Sequence, residues 1–418
     1  MMSLLKKIWH LPRHIISDGY DQALQEIIKI IPLKIHRVPS GKKCWTWIVP
    51  KKWSAQEGYI KDLKGKTIVD LKDHPLRVHS YSLPVDKTVS KQELLKHIWT
   101  NPKRPNAIPF QFKYYEQDWG FCLKQNELKK LTDKKYRVKI ASQLANGFLK
   151  IGEYTIKGEV EDTIVILAHL CHPAMANDDA AGVAVLVDLA KELKKSKNHY
   201  TYKFLLMPET IGSIAFLSQN ESLIPKMRYG IFLEMLGGQN TLALQRSRQD
   251  HSQIDIIARQ IFKENLKKYR VGAFAEIVVN DEMVFNGPGV GVPTISISRY
   301  PYPEYHTSDD TIDLITAPQL LEAKAIALKI IKRLDQNYCP KRTFKGPIFL
   351  SGYGLWVDWK TNFMLNKNLE QLIINLEGEA SIAELAERLD MDFASVHDYL
   401  DKFLTKGLIT KQYHYDHR

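Results

Sequence analysis

At residues 163–190 the chain reads TIVILAHLCHPAMANDDAAGVAVLVDLA. Its first seven residues are almost all apolar and end at His169, which predicts a fully buried strand. A polar loop follows, and Val183, Leu186 and Ala190 then recur at the spacing of one helix face. The stretch therefore predicts a strand, a loop that carries polar side chains, and a helix, which is the repeating unit of an α/β sheet.

The same alternation continues toward the C-terminus. Apolar runs predict strands at residues 202–207, 229–235 and 293–298, and periodic apolar residues predict helices at 211–218 and 317–334. Strands separated by helices are typical of a mainly parallel sheet. The sequence therefore predicts an α/β fold with a mainly parallel mixed sheet flanked by helices. Ligand groups in such sheets lie at the carboxyl ends of the strands.

The segments on either side of this core differ in composition. Residues 1–38 place apolar residues at helical spacing and predict one amphipathic helix, which we assign with residues 150–340 to the core domain. Residues 39–149 are rich in Trp, Tyr, Lys and Pro with short β-prone runs, and they predict an inserted β-rich lid domain. Residues 345–418 contain three helical patterns, one opened by a capping box at Ser381–Glu384, and predict a winged helix-turn-helix domain.

Composition argues against several classes of protein. Of the 418 residues, 44% are apolar and 25% are charged, as in an ordinary soluble globular protein. No run approaches the roughly 18 apolar residues of a membrane span, and the N-terminus lacks the pattern of a signal peptide. The four cysteines are scattered without a CxxC pair, which favours reduced thiols and a cytoplasmic location. The net charge of +12 is spread along the chain, which argues against nucleic acid as a partner.

Five separated pieces of sequence carry side chains that suit metal chemistry. Each follows a predicted strand or lies in an adjoining loop: His169-Leu-Cys-His172, Asn177-Asp-Asp179, Pro208-Glu-Thr210, Leu233-Glu-Met235 and Glu304-Tyr-His-Thr-Ser308. Zinc needs nitrogen and oxygen donors that converge, and strand ends on one sheet edge converge. Asp178 could bridge two metal ions, and Glu209 could take a proton from an activated water. The five pieces together predict a metal-dependent hydrolase.

The order of these motifs resembles that of the bacterial zinc aminopeptidases with two co-catalytic metals. The shared pattern is His, Asn-Asp-Asp-Ala-Ala-Gly, Glu-x-x-Gly-Ser, Glu-Met-x-Gly and His-Thr-Ser-x-Asp, over residues 150–335. More narrowly, Cys171-His-Pro-Ala-Met-Ala-Asn-Asp and Pro303-Glu-Tyr-His-Thr-Ser resemble the aminopeptidase-like proteins encoded near bacterial surface-polysaccharide genes. That family has an inserted β-rich domain and a C-terminal winged helix. The resemblance therefore implies a zinc exopeptidase-like fold over nearly the whole chain.

The resemblance also implies a role for each matching residue. Asp178 matches the aspartate that bridges the metals, and Asp179 matches the residue that follows a cis peptide bond. Glu209 matches the general base. Glu234 matches a carboxylate ligand, and His306 matches the final histidine ligand. The implied cofactor is zinc.

Two positions depart from the aminopeptidase pattern. Thr210 stands where the two-metal enzymes have a glutamate ligand, so one zinc ion and two zinc ions both stay open. The first histidine ligand is either His169, which fits the end of the strand, or His172, which fits the Cys-His-Pro motif of the narrower family. A ligand histidine usually has a carboxylate or carbonyl on its other nitrogen, and Cys171 stands where that aspartate is expected after His169.

Further residues near the end of the predicted site suggest how a substrate is held. Asp281 or Glu282 could bind a substrate amine, and Arg299 is a candidate for binding a carboxylate through two hydrogen bonds. The predicted function is hydrolysis of amide bonds, by an aminopeptidase or other exopeptidase that acts on a peptide or small-molecule amide. One alternative is a non-catalytic or N-acyl-sugar-directed member of the fold, linked to polysaccharide biosynthesis. A second alternative is a winged-helix regulator that binds nucleic acid. Whether the chain forms a homo-oligomer also stays open.

Overall fold

The computed structural model describes residues 1–413. Its strands are β1 (Lys34–Pro39), β2 (Lys43–Cys44), β3 (Trp47–Ile48), β4 (Lys52–Lys61), β5 (Thr67–Asp70), β6 (Val85–Ser90), β7 (Ile98–Trp99), β8 (Phe121–Cys122), β9 (Lys135–Ala145), β10 (Phe148–Ile156), β11 (Thr163–His169), β12 (Thr201–Met207), β13 (Met227–Leu233), β14 (Ala243–Gln245), β15 (Arg270–Gly272), β16 (Thr294–Ser298), β17 (Cys339–Arg342) and β18 (Ile409–Gln412). Its α-helices are α1 (Met2–Ile8), α2 (Asp18–Ile28), α3 (Lys91–Lys96), α4 (Gly182–Leu193), α5 (Ile211–Gln219), α6 (Gln253–Asn265), α7 (Asp281–Phe285), α8 (Ala317–Gln336), α9 (Phe363–Ile374), α10 (Ile382–Arg388) and α11 (Phe393–Thr405).

A mixed sheet of eight strands is the centre of the fold. Its order is β1-β10-β12-β11-β13-β16-β14-β15, and the four central strands β12, β11, β13 and β16 run parallel to one another. Every residue of β11 and β16 is buried, as expected for strands with both faces covered. The predicted α/β fold, with a mainly parallel mixed sheet flanked by helices, is therefore confirmed.

The single helix predicted over residues 1–38 is wrong. The chain forms α1, a connecting segment with Pro12, and then α2, whose first turn is capped by the Ser17 hydroxyl accepting from the Tyr20 N–H. Proline lacks the N–H that a continuous helix needs, and serine favours a new N-terminus. Residues 34–39 form strand β1 instead, which pairs with β10 at the edge of the large sheet.

A second sheet lies in the part of the chain between β1 and β10. Its order is β5-β4-β9-β6, and all three pairings are antiparallel. Residues 104–112 come from this region and run beside the loop at residues 304–309, where the amide of Phe110 donates to the carbonyl of His306 at 2.8 Å. The segment predicted as β-rich is therefore sheet-forming, while its role as a separate lid domain at 39–149 stays a prediction.

The chain divides into two compact units. One comprises Met1–Arg248 and Lys267–Ala327, and the other comprises Gln249–Leu266 and the described residues from Leu328 onward. The second unit contains α6, α9, α10 and α11 and the antiparallel pair β17–β18. The predicted capping box at Ser381 is present. The assignment of residues 345–418 as a winged helix stays a prediction, and the last five of these residues lie outside the described part of the chain. No helix within residues 1–413 has the length and apolar character needed to cross a membrane.

Candidate metal centre

The carboxyl ends of the parallel strands bring most of the predicted site residues to one edge of the sheet. β11 ends at His169, β12 ends two residues before Glu209, and β13 ends directly before Glu234. The loop after β16 carries His306. The buried strands therefore fix the chain directly before each candidate, which is the arrangement expected of ligand sites in open α/β sheets.

Three side chains form a group that could hold a metal ion. A ligand atom from each of His169, His172 and Asp178 lies within 4.8 Å of the other two. Nε2 of His169 is 2.9 Å from Oδ1 of Asp178, and Nδ1 of His172 is 3.5 Å from the same oxygen. The structure thus brings both candidate histidines to the aspartate. Three protein donors and an open position are typical of catalytic zinc sites.

Unsatisfied polar atoms mark the same place. Nδ1 of His172, Oδ2 of Asp178 and Nε2 of His306 have no hydrogen-bond partner among the described residues. Nε2 of His306 is 3.1 Å from Oδ2 of Asp178, on the side of the carboxylate away from His169. Polar atoms without a partner are costly in a protein interior, and an ion is a common explanation for several of them together. The donor set therefore fits a metal ion.

Electrostatics keep two of these donors, His172 and Asp178, in the protonation states that a metal needs. Burial, together with the neighbouring His169 and His306, lowers the pKa of His172 well below its ordinary value, so its ring is neutral. Burial alone would raise the pKa of Asp178, but the adjacent histidines hold it well below its ordinary range. Metal ligands must be deprotonated to bind, so a neutral His172 and an ionised Asp178 suit this role.

Glu209 stands beside this group. Its Oε2 lies 3.4 Å from Nε2 of His172, and its side chain is 28% exposed. Its backbone N–H donates to the sulfur of Cys171 at 3.0 Å, so the buried Cys171 holds the turn that carries Glu209. Burial raises the pKa of Glu209, and the carboxylates of Asp178 and Asp281 raise it further. A partly exposed carboxylate whose pKa lies above its ordinary range is suited to exchanging a proton with a reactant.

Asp281, at the start of α7, supplies the carboxylate that the sequence lacks at Cys171. Its Oδ2 lies 3.4 Å from Nδ1 of His169, on the opposite side of the ring from Asp178. Burial alone would lower the pKa of His169, but hydrogen bonds to Asp178 and Asp281 raise it well above its ordinary value. A carboxylate on the second nitrogen fixes the orientation of a ligand histidine. His169 therefore has the surroundings of a ligand, although its partner comes from a distant part of the chain.

The loop that carries Asp178 is held from several directions. The peptide bond between Asp178 and Asp179 is cis, as the resemblance implies. Oδ1 of Asp179 accepts from the N–H groups of Gly182 and Met235, at 2.9 Å each. A Cβ at Gly182 would lie 2.3 Å from the Leu233 carbonyl oxygen, so only glycine allows α4 to begin this close to β13.

Two buried residues outside the predicted site brace the same loop. Asp310 accepts from the N–H groups of residues 176, 177 and 178 and from the Tyr302 hydroxyl. Arg13 donates to the carbonyl oxygens of Leu170 and Met175, at 3.4 and 2.7 Å, and so spans the segment that carries His172. The sequence pattern gave no signal for Arg13, because its partners lie more than 150 residues away.

The remaining predicted residues are engaged elsewhere in the chain. Glu234 is buried and accepts from the Asn280 amide at 2.7 Å and from the Ser296 hydroxyl at 3.2 Å, so it stands outside the group of converging donors. Glu282 is fully buried and accepts from Gln245 and from the backbone of Asn280. The structure therefore offers no free carboxylate at Glu282 for a substrate amine.

Arg299 does not lie open to a substrate either. It is 2% exposed and donates to the carbonyl oxygens of Leu236, Asn240 and Gln319 and to the carboxylate of Glu322. All three guanidinium nitrogens are used by these contacts. The predicted contact between Arg299 and a substrate carboxylate finds no support in this arrangement, because the guanidinium is buried and its contacts already engage four of its five N–H groups.

Phe110 and Arg104 are site residues that the sequence analysis missed. The ring of Phe110 packs edge-on against His172 and His306, at centroid distances of 5.5 and 5.3 Å. Arg104 pairs with Asp309 at 2.5 Å, just past His306. The inserted region, which is the part of the chain between β1 and β10, therefore forms one wall of the centre, although its local sequence shows no cluster of catalytic residues.

The fold and the site together define an aminopeptidase-like protein of the mixed α/β class. The chain belongs to a family described as a domain of unknown function (DUF4910), whose model matches residues 2–337. It is 36% identical over 337 residues to a protein of Clostridium acetobutylicum provisionally named a polysaccharide biosynthesis protein with an aminopeptidase-like domain. That match covers 80% of this chain and 77% of the relative.

Solved structures show the same fold. A protein of Clostridium acetobutylicum, provisionally described as a peptidase, matches with a TM-score of 0.86 and 31% identity over 98% of this chain and 96% of that one. The zinc aminopeptidase BSAP of Bacillus subtilis matches with a TM-score of 0.62 and 14% identity, over 80% of this chain and 94% of that one. An aminopeptidase of Aneurinibacillus matches with a TM-score of 0.54 and 16% identity, over 79% and 92%. The last two likenesses establish the fold alone.

Proposed function

We propose that this chain is a zinc-dependent hydrolase of amide bonds, of the aminopeptidase or another exopeptidase type. The observation that carries the proposal is the group of His169, His172 and Asp178 with unsatisfied donor atoms, next to the carboxylate of Glu209. His306 faces the second oxygen of Asp178 and could take part in binding one ion or a second one. The zinc aminopeptidases that share the fold support zinc as the metal.

The protein's own residues suggest how the reaction proceeds. His169, His172 and Asp178 would hold the metal, and Asp281 and Asp310 would fix the orientation of these donors. Zinc, when bound, supplies Lewis acidity that makes water acidic near neutral pH and polarises an amide carbonyl. Glu209 accepts the proton of the attacking water and returns it to the leaving nitrogen, for which its raised pKa suits it. The products are a carboxylic acid and an amine.

Exchange of Glu209 for glutamine tests the proposal. The glutamine keeps the size of the side chain but cannot accept a proton, so we expect unchanged zinc content and loss of turnover by at least about 10²-fold. Glu26→Gln is the matched control, because Glu26 has a similarly exposed side chain at 22% and lies on α2. Amide hydrolysis would be followed with a panel of aminoacyl amides, and full activity of the Glu209→Gln variant would exclude this role.

A second candidate substrate class is the N-acyl group of an amino sugar. The name of the Clostridium acetobutylicum relative, which refers to polysaccharide biosynthesis, favours it. The chemistry at Glu209 would be the same, because the bond broken is again an amide. Release of acetate from N-acetylglucosamine, compared with hydrolysis of aminoacyl amides by the same preparation, separates the two classes.

Separate observations bear on the alternative of a nucleic-acid-binding regulator and on the location of the protein in the cell. In α11, the predicted recognition helix, His397 lies beside Asp398 and Asp401, and together with Lys402 they form a mixed surface in place of the basic stripe expected for phosphate contacts. We therefore favour a packing or assembly role for the tail. The four cysteines are free and buried, which supports the proposal of a reducing, cytoplasmic location.

A further inference from the structure

A cavity of about 340 Å³ opens beside Glu209. One wall is the turn at residues 209–211, and the other belongs to the inserted region, which contributes four aromatic residues: Trp47, Phe112, Tyr114 and Tyr115. Three of these rings are well exposed, at 38% for Trp47, 46% for Phe112 and 56% for Tyr115. Large aromatic side chains exposed around a concave site are typical of ligand-binding surfaces.

A row of rings connects this cavity with the candidate metal centre. Phe110 packs against His172 and His306, and the Phe112 ring lies 5.7 Å from the Phe110 ring between centroids. Tyr114 stacks on Phe112 at 4.4 Å with 16° between the planes. The cavity therefore lies next to Glu209 and the metal donors. An amide attached to a group held in the cavity would lie at these residues.

The charges around the cavity restrict what can enter. The ionisable acids that line it are Glu116 and Glu209, and no lysine or arginine of the described chain does so. Lys113 lies nearby, but its ammonium group is 2.6 Å from Glu116 and 3.1 Å from Asp118. An acidic ligand would face two carboxylates without a free cation, which costs binding free energy. A small aliphatic group would leave most of the aromatic surface in water.

We propose that this cavity is the specificity subsite of the enzyme and binds an uncharged ring that presents an apolar face, attached next to the scissile amide. The proposal rests on the proposed function and names the substrate class of that site. Two kinds of molecule supply such a ring, namely the aromatic side chain of a short peptide and the pyranose ring of an N-acylated amino sugar. The rings of Phe112 and Trp47 would contact either one by its face or edge.

Binding of ligands without an amide tests the subsite independently of turnover. The full-length, zinc-loaded protein would be titrated by calorimetry with phenylalaninol, glucosamine and alaninol. We expect at least one of the two ring ligands to bind about tenfold more tightly than alaninol, because it covers aromatic surface that alaninol leaves exposed. The ring ligand that binds better identifies the source of the ring. Equal affinity for all three ligands would overturn the proposal.

Variants of the cavity wall complete the test. Phe112→Leu removes the ring but keeps apolar volume, so we expect it to lose about tenfold in affinity for the ring ligand and to bind alaninol as before. Tyr115→Leu gives a second, independent measurement. Phe148→Leu is the matched control, since Phe148 is 48% exposed on β10 outside the cavity. Unchanged binding in both cavity variants, with zinc content intact, would contradict the proposal.

Hydrolysis assays on the same preparations separate the two proposals. Tight, Phe112-dependent binding of a ring ligand without hydrolysis of any amide would support the subsite and contradict the proposed function. Equal rates of hydrolysis for substrates with and without a ring, in both the wild type and Phe112→Leu, would support the proposed function and contradict the subsite.

Discussion

The backbone N–H of Thr210 donates a hydrogen bond to Oδ1 of Asp281, with 2.9 Å between nitrogen and oxygen. Thr210 has a φ of 58°, a conformation that β-branched residues rarely adopt, so the bond helps hold the turn that carries Glu209. The other oxygen of Asp281 faces His169. One carboxylate therefore orients both the candidate base and a candidate metal ligand. The chain lacks a glutamate donor at position 210, yet the turn there is fixed.

Exchange of Asp281 for asparagine should weaken metal binding and slow turnover. An asparagine can accept from only one side, so either the Thr210 amide or His169 loses its acceptor. We expect zinc affinity to fall about 10–100-fold, as is usual when the group that orients a ligand histidine is removed. Competition with a chelator measures this. Asp255→Asn serves as control, because Asp255 is fully buried but caps α6, and its exchange should lower stability without changing zinc affinity.

Removal of single histidines should show which of them hold the ion. We expect His172→Ala and His169→Gln each to lose most of the bound zinc, because each of the two histidines contributes a ring nitrogen to the group around Asp178. His306→Ala should keep one zinc per chain with reduced turnover, since His306 faces the other oxygen of Asp178. Elemental analysis gives the metal content, and His36→Ala, which removes a histidine paired with Glu153, is the control. A loss of zinc in His306→Ala equal to that in His172→Ala would place the ion between those two residues instead.

The choice between His169 and His172 shows how far the sequence could predict this site. Strand periodicity correctly placed His169 at the end of β11, and the motif marked His172, so each was a candidate by a different criterion. The two criteria conflict only if one histidine is assumed to reach Asp178. The loop that carries the two histidines brings both rings to Asp178. Hydrogen bonds from Arg13 to the backbone help to hold this loop.

Contacts between distant parts of the chain explain what the sequence could not predict. Strands β11, β12 and β13 follow from local apolar patterns, and so do the side chains at their ends. Asp281 and Phe110 reach the site only through tertiary packing, and nothing in their local sequence names His169 or His306 as a partner. The helix predicted over 1–38 failed for a related reason, since the pairing of β1 with β10 overrides helical spacing near its end.

Loss of the ion pair between Arg104 and Asp309 should loosen the inserted region from the loop of His306. In Arg104→Met the long apolar stem is kept and the charge is lost, so we expect zinc content to be unchanged. Exchange of the Phe110 amide, which donates to His306, should become about tenfold faster, and turnover should fall. Hydrogen-exchange mass spectrometry of the peptides that cover Phe110 measures the effect.

The control for this variant is Arg137→Met. Arg137 pairs with Asp86 across β9 and β6 and has no contact with the His306 loop in the described structure. It should leave exchange at Phe110 unchanged. Equal protection of Phe110 in the wild type and in Arg104→Met would mean that backbone bonds alone hold the two segments together.

The buried carboxyl of Glu282 should make the stability of the metal-free protein fall as the pH rises. Burial, reinforced by the neighbouring Asp281, raises the pKa of Glu282 from 4.5 to about 7. Between these two values the folded protein keeps the proton that the unfolded chain has released, so stability is full below about pH 4.5 and is lost as the pH rises through about 7. Glu282→Gln stays uncharged and should be more stable than the wild type above pH 7, by on the order of 1–3 kcal/mol.

Urea unfolding of the zinc-free protein at a series of pH values measures this difference in stability, and the difference should vanish near pH 4. Glu127→Gln supplies a control of opposite sign, because burial would raise the pKa of Glu127 but its hydrogen bonds to Arg77 lower it, so this exchange should destabilise the protein at neutral pH. Equal stability of Glu282→Gln and the wild type at every pH would show that the Glu282 carboxyl ionises in the folded protein as readily as it does in the unfolded chain.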